Sequence, residues 1–209
     1  MTSLRSGVKL TLMKKLSLYI FLSLMFCNVG VADDISDLQI EGISIGDSLL
    51  DHLSKEEIIT EIEINKPEYN YLTDEFGEVY LDGNFDTYYR LSFFVKPKDK
   101  HYTIYSITGG VLYDDKLEQC FAKQKEIEKE LSSTYKNTNK WKETFKFPWD
   151  STGESVSHNI MFVFDTDDQI EINCTKYKKS LKIENNWTDT LQFTIHTKEI
   201  IDWFSNPIN

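Results

Sequence analysis

The chain has 209 residues and carries 34 acidic against 23 basic side chains, which gives a formal net charge of −11. An acidic surface repels phosphate backbones and anionic lipids, so we do not expect the protein to bind nucleic acid. The length is enough for one domain with a substantial hydrophobic core.

The N-terminal segment has the pattern of a signal peptide. Basic residues precede a short apolar run from Leu16 to Cys27, and no acidic residue occurs before Asp33. The run of about 12 residues is shorter than the ~20 needed to span a bilayer. We therefore expect a signal peptide at 1–32 and a single α+β domain at 33–209, in the periplasm or secreted, with no stable membrane span after cleavage. The alternative is an uncleaved anchor, and translation can start at Met1 or Met13.

Two cysteines remain after such cleavage, Cys120 and Cys174. An even pair in an exported chain usually forms a disulfide. The bond would close a loop of about 55 residues and stabilise the fold by ~4 kcal/mol. The alternative is two buried free thiols, and a metal site is less expected because no histidine lies at ligand spacing from either cysteine.

The first elements after the signal peptide are short. Residues 38–46 alternate as an extended lead-in that brings Ile43 and Ile45 against the core. Ser54 and Glu57 form a capping box, which predicts a helix that packs through its isoleucines.

This region also carries a resemblance. The stretch Ile40-Glu-Gly-Ile-Ser-Ile-Gly-Asp-Ser-Leu-Leu50-Asp, followed by Ser54-Lys-Glu-Glu, resembles a family of small exported proteins of marine alphaproteobacteria. Tyr113, Cys120 and Cys174 extend the resemblance over most of the chain after the signal peptide. That family has no known activity, so the resemblance implies no catalytic residue.

Three strands follow, with turn signals between them. The strands are predicted at Glu78–Leu81, Thr87–Lys96 and Lys100–Ile107. Asp82-Gly83-Asn84 is a hairpin signal, and Pro97–Asp99 is a second turn. Short connections make neighbouring strands antiparallel.

The main helix is predicted over Asp115–Ser132. One of its faces is apolar, and Gln124 is a polar gap in that face. The apolar positions are Leu117, Cys120, Phe121, Ile127 and Leu131.

The C-terminal part returns to strands. A polar loop is predicted over Ser133–Ser155, followed by strands at Ser157–Phe164, Gln169–Lys176 and Thr190–Thr197 and a closing helix at Lys198–Ser205. The element order predicts an α+β fold. We expect a twisted antiparallel sheet of about five to six strands with one main helix packed on a face, plus short N- and C-terminal helices.

No catalytic, cofactor or metal site is predicted. The acidic stretch that begins at Asp82 fails as a calcium loop because Thr87 and Phe93 stand where glycine and glutamate are needed. The Asp165–Asp168 cluster is typical of a solvated turn, with a cation-binding accessory protein as the weaker alternative. No Gly-x-Ser-x-Gly elbow occurs. A periplasmic hydrolase stays open if distant strands bring His158 or His196 beside a carboxylate.

An aromatic-rich stretch is the most suggestive surface. Trp141, Phe147 and Trp149 would form a contact patch for an envelope protein, a peptide or a glycan if they are exposed. The alternative is that the loop folds back and its aromatic rings cover the open side of the sheet. The sequence thus favours a non-enzymatic binding or envelope-interaction module.

Export and oxidation give the first prediction. Protein recovered from the exported fraction should start near Asp33, and its intact mass should be two hydrogens below that of the reduced chain. Mass spectrometry with and without reduction and alkylation measures both. A mass that includes residues 1–32 would contradict cleavage, and two alkylated cysteines without reduction would contradict the disulfide.

Overall fold

The computed structural model describes residues 34–83 and 85–208. The predicted signal peptide and Asn84 lie outside the described residues. Within this part the fold is α+β, as predicted, with a large antiparallel sheet, a two-stranded sheet and four α-helices. None of these helices has the length and apolar character needed to cross a membrane.

The main sheet has seven strands among the described residues. The two-stranded sheet comes before it in the chain, with strands β1 (Gln39–Ile40) and β2 (Ile43–Ser44). The strands of the main sheet are β3 (Gly77–Asp82), β4 (Arg90–Val95), β5 (Ile104–Leu112), β6 (Asn139–Lys146), β7 (Val156–Val163), β8 (Gln169–Lys176) and β9 (Thr190–His196). Their spatial order is β3-β4-β5-β9-β8-β7-β6. Two meanders, β3 to β5 and β6 to β9, therefore meet at the central β5–β9 pair.

Four helices accompany the sheets in the described chain. They are α1 (Lys55–Asn65), α2 (Leu117–Thr134), α3 (Lys179–Asn185) and α4 (Lys198–Ser205). The capping box of α1 is present, since Ser54 and Glu57 exchange their side-chain and backbone hydrogen bonds. Helix α2 begins at Leu117, two residues after the predicted start.

Two elements were not predicted. Strand β6 lies inside the stretch 133–155, which was predicted as a loop, and α3 falls between two predicted strands. Every residue of β6 is exposed and most of its side chains are polar. An edge strand of this kind lacks the apolar alternation by which strands are recognised.

Helix α2 packs on the apolar face of the main sheet. Cys120 and Cys174 join it to β8 through a disulfide, as predicted, with their Cα atoms 6.0 Å apart. Phe93, Ile107 and Ile195 occupy neighbouring strands of the same face and are fully buried. The helix and this face together form the main core.

Gln124 is the polar residue in the buried stripe of α2. Its Nε2 atom donates to the carbonyl oxygens of His158, at 2.6 Å, and Ile172, at 2.8 Å. These carbonyls belong to β7 and β8, so the Gln124 side chain binds the helix to two strands. Gln124 lies one helical turn after the disulfide-bonded Cys120. The predicted gap in the apolar stripe is therefore a polar contact with the sheet.

Helix α4 covers one end of the opposite face. Ile200 and Trp203 are buried against Phe94 and Phe76. The indole N–H of Trp203 donates to the backbone and side-chain oxygens of Thr73, at 3.0 and 3.1 Å. The C-terminal helix thus packs as a cap, which is the role that the sequence predicts for it.

The Gln124 contact gives a stability prediction. Gln124→Leu fills similar space but removes both hydrogen bonds to the strand carbonyls, so we expect the free energy of unfolding to fall by about 1–3 kcal/mol. Gln119→Leu, on the exposed side of the same helix, is the matched control and should change little. Urea unfolding of both variants measures the difference. Equal stability of the two would show that the buried amide contributes nothing.

Candidate functional site

The second face of the main sheet, here called the polar face, carries mostly polar side chains. The strand registers align them in rows that cross all seven strands. One central row is Tyr80, Ser92, Thr108, Thr194, Glu171, Met161 and Trp141. The next is Asp82, Arg90, Gly110, Gln192, Asn173, Asn159 and Glu143. The side chains that the seven strands direct to this face therefore form one continuous surface.

Many of these polar side chains are buried. Ser106 is 1% exposed, Glu78 and Thr194 are each 5% exposed, and Ser157 and Thr175 are also buried. A sheet face that only meets water normally keeps its polar side chains exposed. Burying them costs free energy unless they find hydrogen-bond partners, so this face differs from a simple solvated surface.

A cavity of about 240 Å³ lies over the middle of the polar face. Its polar lining includes Glu78, Arg90, Glu171, Asn173 and His196. The volume is below the range of about 300–1,000 Å³ typical of pockets for drug-sized molecules. The cavity therefore fits a small molecule or one end of a longer one.

Aromatic rings border the cavity at the α4 end. The ring of Phe204 meets Phe94 edge-on at 5.2 Å, and both side chains line the cavity. The ring of His196 lies 6.1 Å from Phe204. This end is held in place by the packing of Trp203 beneath it.

A second aromatic border lies at the opposite end. The ring of Tyr89 lies directly over Gly110, where a Cβ atom would come within 2.6 Å of it, so only glycine leaves room for the ring. Tyr177 lies near Tyr89. Tyr177 stacks on Phe147 and Trp149, with ring centroids 6.1 and 6.4 Å apart. A larger aromatic cluster therefore lies close to this border.

The structure brings Phe147 and Trp149 together and places Trp141 apart from them, and the predicted role of the three as a partner-contact patch stays a prediction. Phe147 and Trp149 stack at 4.8 Å, and Trp187 joins them edge-on to Trp149 at 5.4 Å. Trp141 is 45% exposed on β6, in the same row as Glu171. Tyr177 and Trp187 also belong to this cluster but were not predicted, because they lie far from this stretch in the chain.

Glu78 is a buried carboxyl at one corner of the cavity. The hydroxyl of Tyr69 donates to its Oε2 atom at 2.7 Å, and Ser92 and Tyr80 also bond to it. Burial raises the pKa of Glu78, while these hydrogen bonds act in the opposite direction. The carboxyl therefore holds its proton more readily than an exposed glutamate does.

Glu171 has a less satisfied environment. Burial raises its pKa, a hydrogen bond with Asn173 opposes the change, and the nearby charge of Glu143 adds to it. The Oδ1 atom of Asn173 is buried and has no hydrogen-bond partner among the described residues. One buried acceptor beside Glu171 is thus left without a donor among the described residues.

Arg90 does not neutralise these carboxyls. Its guanidinium binds Asp82 through two contacts, at 2.7 and 3.3 Å, and lies over the ring of Tyr80 at 4.9 Å. A bidentate pair of this geometry satisfies the charge of both partners. The acidic character of the cavity therefore remains.

His196 lies in the cavity but is arranged unlike a catalytic base. Its Nδ1 atom contacts the hydroxyl of Ser106 at 2.8 Å, and burial lowers its pKa to about 4. The imidazole is therefore neutral near pH 7. His158 lies on the apolar face, beside Phe121 and Thr144. Within residues 34–83 and 85–208, neither histidine forms a hydrogen bond or ion pair with a carboxylate.

The acidic turns serve local structure. Asp168 accepts hydrogen bonds from Thr166 and from the backbone N–H of Lys198, and Asp82 is paired with Arg90. No group of three or more histidine, cysteine, aspartate or glutamate side chains in the described chain has the geometry to hold a metal ion.

Comparisons with known proteins give no match. No protein-family model fits the chain, and no curated protein or solved structure is significantly similar to it. The resemblance to small exported proteins stays a prediction. The polar face and its cavity therefore provide the evidence for a function.

The environment of Glu171 gives a stability prediction with a pH signature. The pKa of Glu171 is raised in the folded protein, whereas in the unfolded chain it has its ordinary value of 4.5. At a pH above 4.5 the ionised carboxylate therefore lowers the free energy of unfolding. This loss of stability disappears as the pH falls below 4.5, because the carboxyl is then protonated in both states. Glu171→Gln should therefore be more stable than the wild type at pH 7 and equally stable at pH 3.5. Glu184→Gln, on exposed α3, should show no such gain. Urea unfolding across this pH range checks the effect, and a loss of stability at pH 7 would contradict it.

Proposed function

We propose that the protein is an exported, non-enzymatic binding protein that holds a small polar ligand in the cavity of the polar face. One observation carries this proposal. The sheet buries hydrogen-bonding side chains around an open cavity, and one buried acceptor, Asn173 Oδ1, has no partner within the described residues. A ligand with hydrogen-bond donors would pair with the nearby carboxyl of Glu171, which lines the cavity and is only half-buried.

The cost of the polar face supports a functional role. Buried carboxyls with raised pKa values destabilise a fold near neutral pH, and a surface selected for stability alone would not concentrate them. Glu78 is buried and Glu171 is half-buried, the pKa of each is raised by its removal from water, and both line the same cavity. Proteins accept such costs mainly where a site requires them.

Export is supported by two features. The segment 1–32 has the charge and apolar pattern of a signal peptide, and the Cys120–Cys174 disulfide is typical of proteins that fold in an oxidising compartment. We therefore place the protein in the periplasm or outside the cell.

Binding fits the cavity better than hydrolysis does. Ser106, which contacts His196, is 1% exposed and so cannot reach a substrate as a nucleophile. The neutral imidazole of His196 has no acidic partner among the described residues to orient it as a base.

The aromatic cluster would extend the site for a longer ligand or for an envelope partner. Trp149 is 52% exposed, and its ring stacks on Phe147 next to the Tyr89 border of the cavity. Exposed aromatic rings of this kind serve as binding anchors. Trp141 would add a contact at the β6 edge of the polar face.

A blocking variant tests the cavity. Thr108→Phe places a ring in the middle of the polar face and removes one cross-strand contact, to Thr194 at 3.1 Å. Thr144→Phe is the matched control, since it removes one contact to His158, at 3.0 Å, from the opposite face of the same sheet. Both substitutions suit β-strands.

Amide chemical shifts in two-dimensional NMR spectra provide the readout. The probes are butylammonium, 1-butanol, butyrate and glucose, each at millimolar concentration. We expect at least one probe to shift amides of β5, β8 and β9 in the wild type and in Thr144→Phe, and the shifts to disappear in Thr108→Phe. The proposal is wrong if no probe shifts these amides, or if Thr108→Phe leaves the shifts unchanged.

A further inference from the structure

The charge balance of the cavity indicates the chemistry of its ligand, on the assumption that the cavity is the binding site proposed above. Two carboxyls, Glu78 and Glu171, line it. Arg90 is the only lysine or arginine among the described lining residues, and it is bound to Asp82. The cavity therefore has two acidic groups in its lining and no free basic group beside them.

The hydrogen-bonding groups near Glu171 also favour a ligand that donates hydrogen bonds. Asn173 hydrogen-bonds with Glu171, and its buried Oδ1 atom has no partner among the described residues. Glu143, two positions along β6 from Trp141, accepts from Asn159 at 3.3 Å, and its charge acts on Glu171. A second carboxyl and an unpaired acceptor thus lie close to Glu171.

A cationic nitrogen group matches this arrangement. An ammonium group brings three N–H donors and no acceptor, and a guanidinium brings five. A neutral polyol would bring as many acceptors as donors and no charge, and an anion would be repelled by the carboxyls. A metal ion does not fit, since no suitable ligand cluster exists in the described chain.

The aromatic borders suit the rest of such a ligand. Phe94 and Phe204 line the α4 end of the cavity, and Tyr89 lines the other end with 45% of its surface exposed. Aromatic faces attract organic cations and also accept the apolar carbons attached to them. The acidic surface of the whole protein, with a net charge of −11, would further raise the local concentration of cations.

We infer that the cavity binds an organic cation, through an ammonium or guanidinium group whose N–H donors reach the half-buried carboxyl of Glu171. The same group occurs on free amines and on lysine side chains of peptides. Both sources share the chemistry that the cavity recognises.

Three small probes of matched size and one peptide test this inference. Butylammonium, 1-butanol and butyrate share a four-carbon body and differ in charge, and the peptide acetyl-Ala-Lys-Ala-amide presents the same ammonium group on a lysine. We expect butylammonium or the peptide to shift the amides of β5, β8 and β9 in NMR titrations of the full disulfide-bonded protein, with 1-butanol and butyrate binding at least tenfold more weakly. Tighter binding of the peptide than of butylammonium would identify a lysine side chain as the better source.

Two variants test whether the carboxyl of Glu171 is responsible for cation binding. Glu171→Gln should weaken cation binding by about tenfold or more, because it removes a charged hydrogen bond. Since this variant is expected to be more stable than the wild type, lost binding would not reflect unfolding. Glu184→Gln removes the same charge from exposed α3 and should leave the affinity unchanged. An equal loss in both variants would overturn the assignment to Glu171.

The outcomes separate this inference from the proposed function. If 1-butanol, butyrate or glucose shifts the cavity amides and neither cation does, the cavity is a binding site and the inference about its ligand is wrong. If none of the probes shifts them, the proposed function fails and the inference fails with it.

Discussion

The attachment of α2 to one face of the sheet is the constraint on which the rest of the structure depends. The Cys120–Cys174 disulfide and the two hydrogen bonds of Gln124 hold the helix against β7 and β8. Helix α1 packs on the same face beside β3, through Ile62 against Gly77. Because helices cover this face, the core forms there. The opposite face is left to polar side chains, and α4 covers only one end of it. The cavity is a consequence of this one-sided packing.

Two properties of the polar face lower the stability of the folded protein. Its two cavity carboxyls are partly or fully removed from water, so their ionised forms are unfavourable, and one buried amide oxygen beside Glu171 has no hydrogen-bond partner among the described residues. A bound cation would reverse both effects, since it supplies charge and donors at once. The same side chain, Glu171, is therefore expected to lower the stability of the empty protein and to raise its affinity for a ligand.

Sequence patterns predicted the parts of this molecule that depend on apolar periodicity. The helix at 115–132, most strands and the cysteine pair follow from spacing and from export chemistry. Strand β6 could not be found in this way, because an exposed edge strand has polar residues on both faces. The cavity was missed for a different reason. Glu171, Asn173 and Gln192 look like ordinary outward positions in the sequence, and only the pairing of strands far apart in the chain brings them together.

The order of the strands has a consequence for how the protein reaches its native state. Both meanders contain contacts between neighbours in the chain, whereas β5 and β9 pair residues as far apart as Ser106 and His196, which are separated by 90 positions. Pairings of such high contact order are formed late and slowly. The cavity lies across this central junction, so it is complete only when the two halves have docked. A molecule that binds there would hold the junction closed and oppose its local opening.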